Sequence, residues 1–175
     1  MRDVQSEHDK RNVAIDKVGI SGLSWPIQVL DRMNGTQETV ANVSLSVFLP
    51  RDYRGTHMSR FIEVLGEQED QVTFHNMENL LKMLQRRLDA DEAHADFEFP
   101  YFITKKAPVS GALGRMRYDV RFIAELKENK FDLITELTAP IQTLCPCSKE
   151  ISDNGAHNQR AHARIAARMK TFVWI

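Results

Sequence analysis

The chain predicts an α+β fold: an antiparallel sheet with two helices on one face. Three observations carry that expectation. Strand-like alternation comes first, then two helical apolar stripes follow one another, and then alternation returns for the rest of the chain. Helices grouped between runs of strands, rather than interleaved with them, argue for an antiparallel sheet covered on one side. With 175 residues, 42% of them hydrophobic, the chain can build a core for one packed domain or slightly more.

The elements follow in order. Residues 1–17 are charged and read as an N-terminal arm; they lack the apolar stretch of a secretory leader. Gly19 to Val29 mixes Gly, Ser, Trp and Pro with apolar positions, as an irregular strand would. From Thr39 to Leu49 the alternation is clean. Val43, Leu45, Val47 and Leu49 oppose Asn42, Ser44 and Ser46, and Pro50 ends the strand. Met58, Phe61, Ile62 and Leu65 fall at helical spacing, with Thr56 as a cap and Gly66 as a stop. Asn76 is placed to cap a second helix, whose buried stripe is Met77, Leu80, Leu81, Leu84 and Leu88. Strands return at Phe97–Lys105 and around Tyr118–Leu126. Glu128-Asn129-Lys130 supplies a turn, and Phe131–Leu144 gives a further strand. The last alternation sets Ala161, Ala163, Ile165, Ala167 and Met169 against His162, Arg164, Arg168 and Lys170. The chain ends on Phe172-Val173-Trp174-Ile175, where polar residues are usual, so further sequence is expected beyond it.

Charge and composition narrow the function. A net charge of -1 gives no basic bias toward nucleic acid. No run of 18 apolar residues offers a transmembrane helix. A cytoplasmic protein with neither nucleic-acid nor membrane partner is the expectation.

Three constellations carry chemistry. The densest is C-P-C-S-K-E-I-S-D-N-G-A-H-N-Q-R, residues 145–160, which holds both cysteines of the chain. Thiolate and imidazole are ligands for zinc-class metals. Cys145 or Cys147, with His157 brought back across the turn Asp153-Asn154-Gly155, could fill two or three corners of such a site. The plainer reading is two small buried residues at a strand end. The second, R-G-T-H-M-S-R at 54–60, joins a strand end to a helix start. It reads either as an anion-binding corner or as an ordinary cap with solvated arginines. The third, K-K-A-P-V-S-G at 105–111, is a charged strand end and loop, or a place where two lysines meet a phosphate chain.

Taken together, these pieces resemble the prokaryotic type IB GTP cyclohydrolase I family. V-G-I at 18–20, Trp25-Pro26-Ile27, G-T-Q-E-T-V-A at 35–41, R-G-T-H-M-S-R-F at 54–61 and the two motifs beginning at 105 and 145 occur in the family's order. The resemblance implies a tunnelling fold that closes into a barrel by oligomerisation, as a homo-oligomer, here a tetramer. Residues 18–144 would be a first module. Residues 145–175 would be the metal and GTP segment and the start of a second, truncated one. It implies GTP as substrate, 7,8-dihydroneopterin triphosphate and formate as products, a place at the first step of folate biosynthesis, and a divalent metal (Zn, Mn or Fe). By position, Cys145 and His157 match metal-site residues, and Cys147 and His157 are the catalytic candidates. His57, Ser59, Arg60, Gln159 and Arg160 match substrate-binding positions. The family's later glutamates and histidine fall beyond Ile175. Two other readings share these motifs: a related cyclohydrolase that releases a cyclic-phosphate dihydroneopterin, and a purine- or pterin-binding module without turnover.

Overall fold

A computed structural model describes residues 13–53, 55–68, 71–153 and 155–168. The arm expected over residues 1–17 lies mostly outside them, as do Arg54, Asn154, and Met169 to Ile175. The strand that follows the arm already begins at Ile15. The elements are β1 (Ile15–Asp31), β2 (Gly35–Leu49), α1 (Met58–Glu67), β3 (Gln71–Val72), α2 (Phe74–Leu88), β4 (Glu92–Lys106), β5 (Leu113–Lys127), β6 (Lys130–Leu144), α3 (Pro146–Glu150) and β7 (Asn158–Arg168). The architecture is α+β, as expected.

All seven strands form one sheet in the order β3-β1-β2-β4-β5-β6-β7. Every pairing is antiparallel except the short one between β3 and β1. The sheet is open among the described residues, with β3 and β7 at its edges. Successive side chains of a strand point to opposite faces. One face therefore collects Val43, Leu45 and Val47 of β2, Phe97 and Phe99 of β4, and Val120 and Ala124 of β5, all buried. Helices α1 and α2 cover that face, and the buried residues of both layers form a single core. Phe99 and Phe122 meet edge-to-face at 5.3 Å between ring centroids. Each such side chain taken fully from water contributes about 1.5–3 kcal/mol.

The details depart from the expected pattern where backbone geometry overrides side-chain spacing. β1 is irregular, as its Gly and Pro content suggests: its register against β2 shifts between Ile15 and Val18 and again between Ile20 and Leu23. Gly19 lies between those shifts. A Cβ there would stand 2.0 Å from the Leu45 carbonyl oxygen, so only glycine permits the approach. The N-cap position of helix α1 is His57, not Thr56, with no side-chain capping hydrogen bond, and the helix runs through Gly66 to Glu67. Its buried side chains are Phe61, Val64 and Leu65, while Met58 and Ile62 are exposed. The helix docks rotated by about one residue from the stripe read in the sequence. Helix α2 starts earlier than expected. Thr73 is its N-cap, and its side chain accepts from the Asn76 N–H at 3.1 Å. Asn76 instead ties the first turn to β3 by donating to the Gln71 carbonyl.

The β5–β6 turn is Glu128-Asn129, with φ of 49° and 60°. Lys127 pairs with Lys130 across it, so Lys130 belongs to the strand. Two consecutive left-handed residues match the right-handed twist of the flanking strands. At the opposite end of the sheet, Asp31 closes the β1–β2 turn by accepting from the Met33 and Asn34 N–H groups at 2.7 and 2.9 Å. Burial alone would raise its pKa. These donors, with the Asn34 and Tyr101 side chains, instead bring it below the ordinary carboxylate value.

Candidate active site at the end of the β6–β7 hairpin

Strands β6 and β7 pair from Ile134 with Arg168 to Leu144 with Asn158. The next residues outward are Cys145 and His157. The ladder therefore places the first cysteine and the histidine side by side, and the Cys145 N–H donates to the His157 carbonyl at 3.3 Å. Between them the chain makes the single-turn helix α3, with Cys145 as N-cap and Pro146 in its first turn. Proline fits there because its missing N–H is one the helix would not use. Gly155, at φ 131°, takes a backbone conformation that other residues avoid.

The Cys145 thiol is half-buried and Cys147 is exposed. The Cys145 pKa is lowered from 9.0 to about 7. The Ser148 backbone N–H and hydroxyl do most of this, against the effect of burial, with help from His157 and the Cys147 N–H. The shift raises the share of thiolate at neutral pH, the form that binds metal. The His157 Nδ1 lies 3.3 Å from the Asn158 carbonyl oxygen. A proton on Nδ1 donated there leaves Nε2 as the lone-pair nitrogen, which is how metal-binding histidines are commonly oriented. Among the described residues no group of three or more His, Cys, Asp or Glu side chains could hold a metal ion. The arrangement offers a tuned thiol beside an imidazole, two side chains of the kinds that bind zinc-class metals.

The remaining expected site residues divide. Gln159 and Arg160 follow directly on β7, both exposed. As neighbours on a strand they face opposite sides of the sheet. Gln159 meets Thr143 at 3.4 Å, and Arg160 stands opposite Gln142. His57, Ser59 and Arg60 lie at the other end of the molecule. They follow β2, whose Val47 pairs with Ala93, and Glu92 beside it pairs with Lys127, which pairs with Lys130. That is the start of β6, whereas Cys145 follows its end. The length of β6, fifteen residues or roughly 45–50 Å of extended strand, thus runs between the two ends of the sheet to which these groups belong. Arg60 is also engaged there: its Nη1 donates to the Arg87 carbonyl at the C-terminal end of α2, at 2.9 Å. Sequence reading missed Ser148 and α3. The signal was present, since proline is favoured at the first position of a helix.

The family model described as type I GTP cyclohydrolase folE2 matches residues 1–175. Among curated relatives, GTP cyclohydrolase FolE2 of Magnetococcus marinus is 49% identical over 175 residues, covering 100% of this chain and 66% of that protein. The FolE2 proteins of Thiobacillus denitrificans and Kosmotoga olearia are 45% and 51% identical, again over 100% of this chain and over 65% and 68% of theirs. The chain thus spans about two thirds of the length of the curated relatives it matches.

Proposed function

The chain belongs to the type I GTP cyclohydrolase folE2 family, and from that premise we propose that its protein hydrolyses GTP to 7,8-dihydroneopterin triphosphate and formate. The observation that carries the reading is the Cys145–His157 pair, closed by the last rung of the β6–β7 hairpin, with the thiol tuned to about 7. Cys145 and His157 would hold a divalent metal (Zn, Mn or Fe). When bound, such an ion brings the deprotonation of water from pKa 15.7 to ~7. Attack of water at C8 opens the five-membered ring of guanine, and the departing ring nitrogen needs a proton. Cys147, exposed two residues from Cys145, is the candidate side chain of this segment for that transfer if His157 serves as a ligand. A positioned proton donor of this kind contributes typically ~10²–10⁴ in rate.

The two ends of the sheet bear on assembly. If His57, Ser59 and Arg60 bind the same GTP as Cys145 and His157, one group must come from a second copy. That supports a homo-oligomer, a tetramer of tunnelling-fold subunits whose open sheets close into a barrel. The apolar side of β6–β7 supports the view that residues 145–175 begin a second module. Ile141 and Ile165 are exposed on the helix side of the sheet, beyond the reach of α1 and α2. No helix among the described residues is long and apolar enough to cross a membrane; the cytoplasmic, first-step role in folate biosynthesis is proposed from the family alone.

The test is to incubate the full-length protein with GTP and Mn²⁺ or Zn²⁺. Formate is then measured alongside the fluorescence of the oxidised pterin. Equimolar formate and neopterin triphosphate is the expected result. A cyclic-phosphate product would assign the related cyclohydrolase. GTP binding without formate release would overturn the enzymatic reading in favour of a binding module.

A further inference from the structure

Two rungs close the β6–β7 hairpin. In the outer one the Cys145 N–H donates to the His157 carbonyl. In the inner one, two residues further along each strand, Thr143 pairs with Gln159. Cys145 keeps an extended backbone, with φ of -75° and ψ of 114°. The alternation of β6 therefore holds through it and sets Thr143 and Cys145 on the same side of the sheet. Residues directly opposite in an antiparallel pair share a side as well. Thr143, Cys145, His157 and Gln159 thus form a square of side chains on one face. Its dimensions follow from strand geometry: about 5.5 Å between Cα atoms across a hydrogen-bonded pair, and roughly 6.4–6.8 Å along a strand. Leu144, Asn158 and Arg160 fall on the opposite face by the same alternation.

Two corners of the square are joined through their side chains. The Thr143 hydroxyl donates to Gln159 Oε1 at 3.4 Å. The Gln159 amide has no other hydrogen-bond partner among the described residues. Glutamine is rich in rotamers, so ordering it on a ligand costs free energy. Threonine is branched at Cβ and has few rotamers of its own, which makes it a stiff anchor. With the amide oxygen held by the hydroxyl, the NH₂ group of Gln159 is left to donate. One rung separates it from the Cys145–His157 pair.

We propose that Thr143 is a positioning residue, which holds the Gln159 amide so that its NH₂ group meets an acceptor oxygen of the nucleotide bound over Cys145 and His157. The proposal rests on the cyclohydrolase reading for its ligand and deepens it, adding a residue that lies outside every motif used for that reading. Thr143 acts through Gln159 and touches no substrate itself. Ordering a group in advance lowers the cost of binding. Where that group holds substrate and transition state alike, the gain lies in KM and not in kcat.

The experiment measures GTP turnover and, by calorimetry, GTP binding on full-length, metal-loaded protein. Thr143→Val keeps the shape of the side chain and removes the hydroxyl. It should raise KM and Kd for GTP roughly 2–10-fold, the worth of one neutral hydrogen bond, with kcat and metal content as in the wild type. Thr143→Ser should restore most of the affinity, which separates the hydroxyl from any packing defect. Gln159→Ala should weaken GTP at least as much, and adding Thr143→Val to it should cost nothing further. Thr135→Val strips a hydroxyl from the same face of β6, opposite Ala167 and far from the square, and should behave as wild type. The proposal is overturned if Thr143→Val keeps the wild-type KM, if its loss lies in kcat or metal content, if Gln159→Ala binds GTP as wild type does, or if the two losses add in the double variant. A wild type that binds GTP without releasing formate ends the cyclohydrolase reading, and the same four proteins compared by Kd still decide for or against Thr143. A wild type that binds no GTP overturns both.

Discussion

The two halves of the sheet obey opposite rules. In β4, the helix-side residues Ala93, Ala95, Phe97, Phe99 and Tyr101 are all buried under the helices. In β7, the residues on that same side, Ala161, Ala163, Ile165 and Ala167, are half-buried or exposed. The first half supplies stability, and its large side chains fill a core. The second half carries the candidate site residues Cys145 and His157 at its tip, on a ladder with little packed against it. These two residues are brought together by hydrogen-bonded backbone register rather than by side-chain packing.

The largest effect that would test this contrast is on stability. Phe61, fully buried in α1, should cost about 3–5 kcal/mol when replaced by alanine. Denaturant unfolding measures it, and a loss under 1 kcal/mol would mean the helix layer is not the stabilising one. Next comes Cys145→Ala, which should leave the fold unchanged and remove stoichiometric metal and turnover. Outer-shell partners of metal ligands are worth ~10–100-fold, so loss of a direct ligand should exceed that range. Full metal content and activity in the variant would sink the ligand assignment.

A smaller effect is expected from Ser148→Ala. Its N–H stays but its hydroxyl goes, so the Cys145 pKa should move up from about 7 toward 9.0. The sign is fixed: less thiolate at pH 7, hence slower alkylation there and no loss at pH 10. The alkylation rate of metal-free Cys147→Ser protein against pH, with and without the second substitution, reads this directly. An unmoved midpoint would assign the shift to other groups. The smallest effect should be that of Ile165→Ala, because Ile165 is 59% exposed. We expect under ~1 kcal/mol. A loss above 2 kcal/mol would show that this face is covered in the intact protein, and would sharpen the contrast into one between a core formed within this segment and one formed by assembly.

Much of the first half was legible in the sequence because packing there follows periodicity. The alternation of Val43 to Leu49 and the α2 stripe of Met77, Leu80, Leu81 and Leu84 were both readable in this way. The Glu128-Asn129 turn was readable from local chemistry. Helix α1 was misread in detail because two overlapping stripes share Phe61 and Leu65, and only the sheet decides whether Ile62 or Val64 turns inward. At the site, motif spacing suggested that Cys145 and His157 meet, and strand register explains why. What spacing could not reveal is that His57, Ser59 and Arg60 lie a full strand length away. Residues grouped by motif are not thereby grouped in space, and no local signal reports the direction in which a long strand carries the chain.

The order of the strands has a kinetic consequence. Every antiparallel neighbour in the sheet is also a neighbour in sequence among the strands, apart from β2 and β4, which are separated by α1, β3 and α2. The two flanks can zip from their own turns, at the small entropic cost of closing short loops. The seam between β2 and β4 has to wait until the intervening helices are in place, since the same residues of Val43 and Phe97 that meet across it also meet the helix layer. The rate-limiting step of folding is therefore expected at that seam. Weakening it, as in Val43→Ala, should slow refolding, whereas an equal loss of stability within the β6–β7 ladder should chiefly hasten unfolding.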